Sequence, residues 1–332
     1  MFRNTNRLLM TAILLAACAS GSETTTSGDG STTSETPTAS TAAPTTAPPT
    51  TTGPSPFPLT VTAANGEVTI EEEPDAIVSL SATSTEMLFA VGAGDQVVAV
   101  DSLSNYPSEA PITDLSAFTP NTEAVASYAP DLVIISFDAN DLLAGLSELG
   151  IPTLMLPAAA TLDDVWSQFE LLGAVTGQDQ EASSSIAELQ DEIDAIVADT
   201  QIPGGLSYYY ELDPTAFFSV TSQTFVGSVI GLLGLENIAD AADPEGAAFG
   251  YPQLTAEFII SADPDFIVLA DTVCCDQNAA SVAARPGWGE MKAVTTGAVV
   301  ELNDDVASRW GPRIVELLSE VAAKVTELAP LG

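Results

Sequence analysis

The chain has 332 residues, with 7 Lys and Arg against 46 Asp and Glu and no His, for a formal net charge of −39 at pH 7. So few cations exclude a nucleic-acid partner, because phosphate binding needs clustered Lys and Arg. The missing imidazole removes Ser-His and Cys-His catalysis, and the acidity reads as a solubilising surface suited to salty surroundings.

Arg3 and Arg7 precede a largely apolar run at 8–15 and the small pair Ala16-Ala17, directly before Cys18. That order predicts a signal peptide over residues 1–17, too short to span a bilayer. Leu15-Ala16-Ala17-Cys18 resembles the bacterial lipobox, which implies lipidation of Cys18 and a place on the extracytoplasmic face of the cell membrane. Lipidation also accounts for the odd cysteine, leaving Cys274 and Cys275, which either stay reduced or close into a strained vicinal disulfide. Residues 18–58 are expected to be the lipid-anchored tether: 22–58 is almost entirely Thr, Ser, Pro, Ala and Gly, with too little apolar surface to offset ordering entropy.

The remaining length suits two lobes better than one core. In the first, 59–178, short β-branched runs at 76–80, 97–100, 132–135 and 153–156 alternate with helical patterns at 84–91 and 142–149. This predicts a parallel α/β lobe. Ile186, Leu189, Ile193, Ile196 and Val197 at helical spacing, without Gly or Pro, predict one long helix within 179–202. The second lobe, 203–332, has strand patterns at 206–210, 266–269 and 298–302 and helical patterns at 225–233, 254–261 and 312–328. The cations outside the signal segment, Arg285, Lys292, Arg309, Arg313 and Lys324, all fall late in the chain.

Local motifs accompany these elements. Pro74-Asp75-Ala76-Ile77-Val78-Ser79-Leu80-Ser81-Ala82-Thr83-Ser84-Thr85-Glu86 leads into Phe89-Ala90-Val91-Gly92-Ala93-Gly94. Asn105-Tyr106-Pro107, Glu123-Ala124-Val125-Ala126, Pro130-Asp131-Leu132-Val133-Ile134 and Gly234-Leu235-Glu236-Asn237-Ile238 follow. Tyr251-Pro252-Gln253-Leu254-Thr255-Ala256-Glu257 and Gly311-Pro312-Arg313-Ile314-Val315 complete the set. Ser84 and Thr85 are suited to cap the first helix, and capping alone explains Ser84 and Glu86.

The ordered set resembles the periplasmic-binding family of vitamin B12, haem and iron-siderophore importers. The resemblance implies an α/β fold of two Rossmann-like lobes joined by one long helix, with the ligand cleft between the lobes. It implies a monomeric solute-binding lipoprotein, not an enzyme, with no intrinsic cofactor or metal site, which delivers a large cobalt or iron chelate to an ABC importer permease. A cobalamin-type corrinoid is favoured, since an anionic chelate would want cations that residues 18–284 lack; a hydroxamate siderophore or haem is the alternative. Zinc and manganese are set aside for want of His. Tyr251, Trp310, Phe118, Phe137 and Tyr209, with Arg309, are the expected ligand contacts, rings giving large area at small entropy loss. Glu123 and Glu257, one per lobe, match the positions through which the family docks on permease arginines.

Overall fold

The computed structural model describes residues 56–200 and 204–328. The expected signal peptide, Cys18 and the expected tether as far as residue 55 lie outside the described residues.

The chain enters through an antiparallel hairpin, β1 (Leu59–Ala63) and β2 (Gly66–Ile70). The N lobe continues with β3 (Ile77–Leu80), α1 (Ala82–Ala90), β4 (Val97–Asp101), β5 (Ile112–Leu115), α2 (Thr122–Ala126), β6 (Leu132–Ile135), α3 (Leu142–Glu148) and β7 (Thr153–Met155). Five parallel strands lie in the order β5-β4-β3-β6-β7. β3 and β6 lack apolar–polar alternation because both their faces are covered. Ile77, Leu132 and Ile134 enter one apolar cluster, while Val78, Leu80, Val133 and Ile135 enter another. The hydroxyl of Ser81, not of Ser84 or Thr85, caps α1 by accepting the Ser84 N–H. The helix starts earlier than expected because Ser84 and Thr85 are buried inside its first turns.

A helical pair then leaves the N lobe. α4 (Leu162–Thr176) opens on a capping box between Thr161 and Asp164 and stops at Gly177, in the left-handed region at φ 72°. α5 (Asp179–Asp199) turns back so closely that a Cβ on Gly173 would sit 2.5 Å from the Ala182 Cβ. Ala182 and Leu189 of α5 are buried in the N-lobe core and Ile193 in the C-lobe core, so one helix belongs to both.

The C lobe comprises β8 (Ser207–Glu211), α6 (Phe225–Gly231), β9 (Glu236–Asn237), α7 (Ala256–Ala262), β10 (Phe266–Leu269), α8 (Ala279–Ala283), α9 (Lys292–Thr295), β11 (Val299–Glu301), α10 (Asp304–Ser308) and α11 (Ile314–Leu328). Its parallel sheet has the order β11-β10-β8-β9. Trp166, Phe225 and Val315 pack against both lobe cores, forming an apolar seam. Among the described residues no helix is long and apolar enough to cross a membrane.

Candidate ligand-binding cleft

In open parallel sheets ligands bind outside the carboxyl ends of the strands, and it is there that the lobes touch. Arg309, just past α10, donates from Nη1 to Oε1 of Glu86 on α1 at 2.7 Å and from Nη2 to the Leu103 carbonyl at 2.9 Å. Arg313 donates from Nη2 to the same Glu86 oxygen at 2.6 Å, and its guanidinium lies 4.5 Å from the Tyr106 ring centre. Asn105 donates to Asp305 at 2.7 Å, and the indole N–H of Trp310 donates to Gln168 on α4 at 3.1 Å. These contacts join the two lobes.

Three of the expected contacts have little or no open surface in this structure. Arg309 is buried, and its terminal nitrogens donate to Glu86, Leu103 and Asp305. Trp310 is half-buried against the N-lobe core and tied by its ring nitrogen to Gln168. Tyr209 has no exposed surface: β8 lies between β10 and β9, and a strand covered on both faces buries Tyr208, Tyr209 and Tyr210 alike. The Tyr209 hydroxyl donates to Glu211 at 3.3 Å, within the lobe.

Phe118, beyond β5, and Phe137, beyond β6, stand exposed with ring centres 5.6 Å apart. Their tilted pairing contributes about 0.5–1.5 kcal/mol beyond area burial. On the C lobe two loops are laced together: Ser219 N–H donates to the Pro252 carbonyl at 3.0 Å and Thr221 N–H to that of Gly250 at 2.8 Å. This ribbon displays Phe218, Phe249 and Tyr251, the last two 84% and 49% exposed. Phe249 has φ 54°, left-handed for a bulky residue, and buried Asp243 holds it there by accepting the Ala248 N–H at 3.1 Å. Burial raises the Tyr251 phenol above its ordinary pKa. Sequence reasoning missed Phe249 and the Glu86–Arg309 pair. The only local signal for Phe249 was a lone ring in an Ala- and Gly-rich loop.

Beneath the C-lobe ribbon, Arg285 reaches Glu211 with both terminal nitrogens, at 2.5 and 2.6 Å, and lies 4.5 Å from the Trp288 ring centre. All five cations of the described residues are paired with carboxylates: Arg285, Arg309 and Arg313 as above, Lys292 with Asp265 and Lys324 with Glu327. Cys274 and Cys275 are free, exposed thiols with no bond between them, so the structure does not contain the vicinal disulfide. Desolvation first, then Cys275 and Asp304, push the Cys274 thiol well above its ordinary pKa. Glu123 and Glu257 are exposed in the first turns of α2 and α7, behind the caps Asn121 and Thr255, and neither carboxylate is engaged by another described residue.

Two parallel α/β lobes, sharing a helix and offering aromatic loops at the carboxyl ends of their strands, define a two-lobed solute-binding protein. The sequence pattern of the family described as "Periplasmic binding protein" matches residues 77–306, and the chain belongs to that family. It is similar to the ABC transporter substrate-binding lipoprotein YvrC of Bacillus subtilis, 31% identical over 283 residues covering 81% of this chain and 86% of that one. It is also 31% identical to the cobalamin-binding protein of Halobacterium salinarum over 279 residues, 80% of this chain and 73% of that one. Among solved structures, the periplasmic heme-binding protein RhuT from Roseiflexus sp. RS-1 superposes with a TM-score of 0.66 at 23% identity, covering 77% of this chain and 99% of the other, which is a likeness of fold. The family is one of substrate-binding proteins for transporters, and the chain is not an enzyme.

Proposed function

We propose that this protein captures a cobalamin-type corrinoid between its lobes and delivers it to the permease of an ABC importer, held at the outer face of the membrane through lipidated Cys18. The observation that carries the reading is the pairing of exposed aromatic loops with committed cations: rings stand free on both lobes while every described Arg and Lys is already held by a carboxylate. Such walls favour a large, near-neutral ligand with extensive apolar area over an anionic catecholate or citrate chelate. Haem or a ferric hydroxamate is the second reading. The cobalamin-binding relative favours the corrinoid.

Titration calorimetry with cyanocobalamin, haemin and a ferric hydroxamate separates these readings. Saturable one-to-one binding of cyanocobalamin, with weaker or no binding of the other two, is expected; preferential binding of haemin overturns the corrinoid. For docking, Glu123→Arg with Glu257→Arg should keep cyanocobalamin affinity while abolishing transport. Exposed pairs alone contribute little, but charges desolvated at an interface cost roughly 2 kcal/mol or more when one side is lost. Normal uptake by the double variant overturns the docking role.

A further inference from the structure

Asp271 lies two residues beyond β10, fully buried, and neither of its carboxylate oxygens has a hydrogen-bond donor among the described residues. The ladder explains what it meets. Leu269 is the register partner of Glu211, the Ala270 N–H donates to the Glu211 carbonyl at 3.0 Å, and the pleat returns Asp271 to the Glu211 side of the sheet. Glu211 is also fully buried. Arg285 balances one charge only, since its terminal nitrogens are spent on Glu211 and on Gln277, the latter at 2.7 Å.

The groups facing Asp271 are Glu211, Tyr209 and Tyr210 from β8, Arg285 from beyond α8, and Asp304 from α10. Asp304 is no counter-charge: it is itself acidic and accepts the Val273 and Cys274 N–H groups at 2.9 and 2.7 Å. A second buried carboxylate here would lack both a cation and a donor, a costly state. Two carboxyl groups hydrogen-bond to each other only when one of them carries a proton. Desolvation first, then Glu211, push Asp271 up to about 8.

We propose that Asp271 and Glu211 form a proton-binding site beneath the C-lobe aromatic ribbon, in which one shared proton keeps Arg285 seated under Phe217 and against Trp288. Losing the proton leaves two carboxylates competing for Arg285, which is then drawn off Trp288. Arg285 lies 6.0 Å from the Phe217 ring centre, and Phe217 precedes exposed Phe218, so the proton controls the set of this wall. Its bearing on ligand rests on the proposed function, whereas protonation can be measured without ligand, so the two fail separately.

The test is urea unfolding of the whole protein from about pH 5 to pH 9.5, for wild type and Asp271→Asn, whose amide replaces the protonated carboxyl. A folded pKa above the unfolded value means that wild type loses stability as pH rises from near 4 toward the folded value, then levels. The unfolding constant of wild type relative to the variant should therefore rise by about tenfold per pH unit through that window. In parallel, the Trp288 contribution to fluorescence should titrate near the same upper pH in wild type and not in Asp271→Asn. Infrared spectra of wild type labelled with carbon-13 at the Asp carboxyl groups should show a protonated carboxyl at pH 7, a reading that survives even if the variant fails to fold. A pH-independent difference between the proteins, no protonated carboxyl at pH 7, or a profile that follows sodium or potassium concentration at fixed ionic strength each overturns the proposal.

Discussion

Glu86 and Arg309, 223 positions apart in sequence, meet across the lobes at 2.7 Å with side chains 0% and 7% exposed. Arg313 joins the same carboxylate, and a Cβ on Gly311 would lie 3.3 Å from its other oxygen, so the chain wraps tightly around Glu86. Glu86→Ala leaves Arg313 without its carboxylate and Arg309 with Asp305 alone, and should cost about 3–5 kcal/mol, the range for breaking a buried pair from one side. Urea denaturation measures it, and small-angle scattering should show a wider spread of lobe separations. A loss below about 1 kcal/mol would mean that the triad does not hold the lobes.

Exposed and buried tyrosines should behave oppositely. Tyr251→Ala or Phe137→Ala should weaken cyanocobalamin binding about tenfold or more, equivalent to at least about 1.4 kcal/mol of lost contact. Tyr209→Phe should leave affinity unchanged and cost about 0.5–1.5 kcal/mol of stability through the hydroxyl alone. Calorimetry on the three variants decides, and an affinity loss in Tyr209→Phe alone would reverse the assignment.

Asp213 organises the turn that carries the C-lobe rings. Partial burial raises its carboxyl, but bonds from the N–H groups of Thr215, Ala216 and Phe218 and from the Thr215 hydroxyl outweigh it and hold the group below its ordinary value. With the folded value below the unfolded one near about 3.9, this stabilisation is complete above that pH and disappears as pH falls through the folded value. Amide exchange at residues 215–218 should quicken, relative to the protein's core, as pH drops through that window. Asp213→Ala should show the faster exchange already at pH 6.

Carboxylates far outnumber cations, 46 to 7 over the whole chain, and the described cations are all spent in pairs, so the surplus acids repel one another across the surface. Salt screens that repulsion. Raising NaCl from about 0.05 to about 1 M should lift Tm by at least about 2–4 °C, the equivalent of about 1 kcal/mol for a body of this size. A falling Tm would show that the internal ion pairs outweigh the surface repulsion.

Elements with strong local signals are legible in the sequence alone. Residues 132–135 and 266–269 are strands over the expected spans, and the helix expected within 179–202 runs from Asp179 to Asp199. β1 and β2 were missed although Leu59-Thr60-Val61-Thr62-Ala63 alternates apolar and polar residues and Asn65-Gly66 marks the turn. α4 was missed despite its Thr161-x-x-Asp164 box and the spacing of Val165, Phe169 and Leu172. Within the site, loop aromatics such as Phe118, Phe137 and Tyr251 could be named as exposed rings. Whether Tyr209 sits on a central or an edge strand, and which carboxylate Arg309 finds far away in the chain, depend on tertiary neighbours that no local pattern encodes.

The seam sets an order of assembly. α11 packs on α5, and its Val315 touches both cores, as do Trp166 and Phe225. A chain growing from its amino end therefore packs α5 on α4 and the N-lobe core first, and holds the part of its flank that meets α11 uncovered until the last described helix arrives. The five-stranded sheet can gather early, but the spine on which both halves rest closes only at the finish. Maturation thus concentrates in one late docking event, and a fragment ending before Ile314 would be a sticky intermediate in place of a working half.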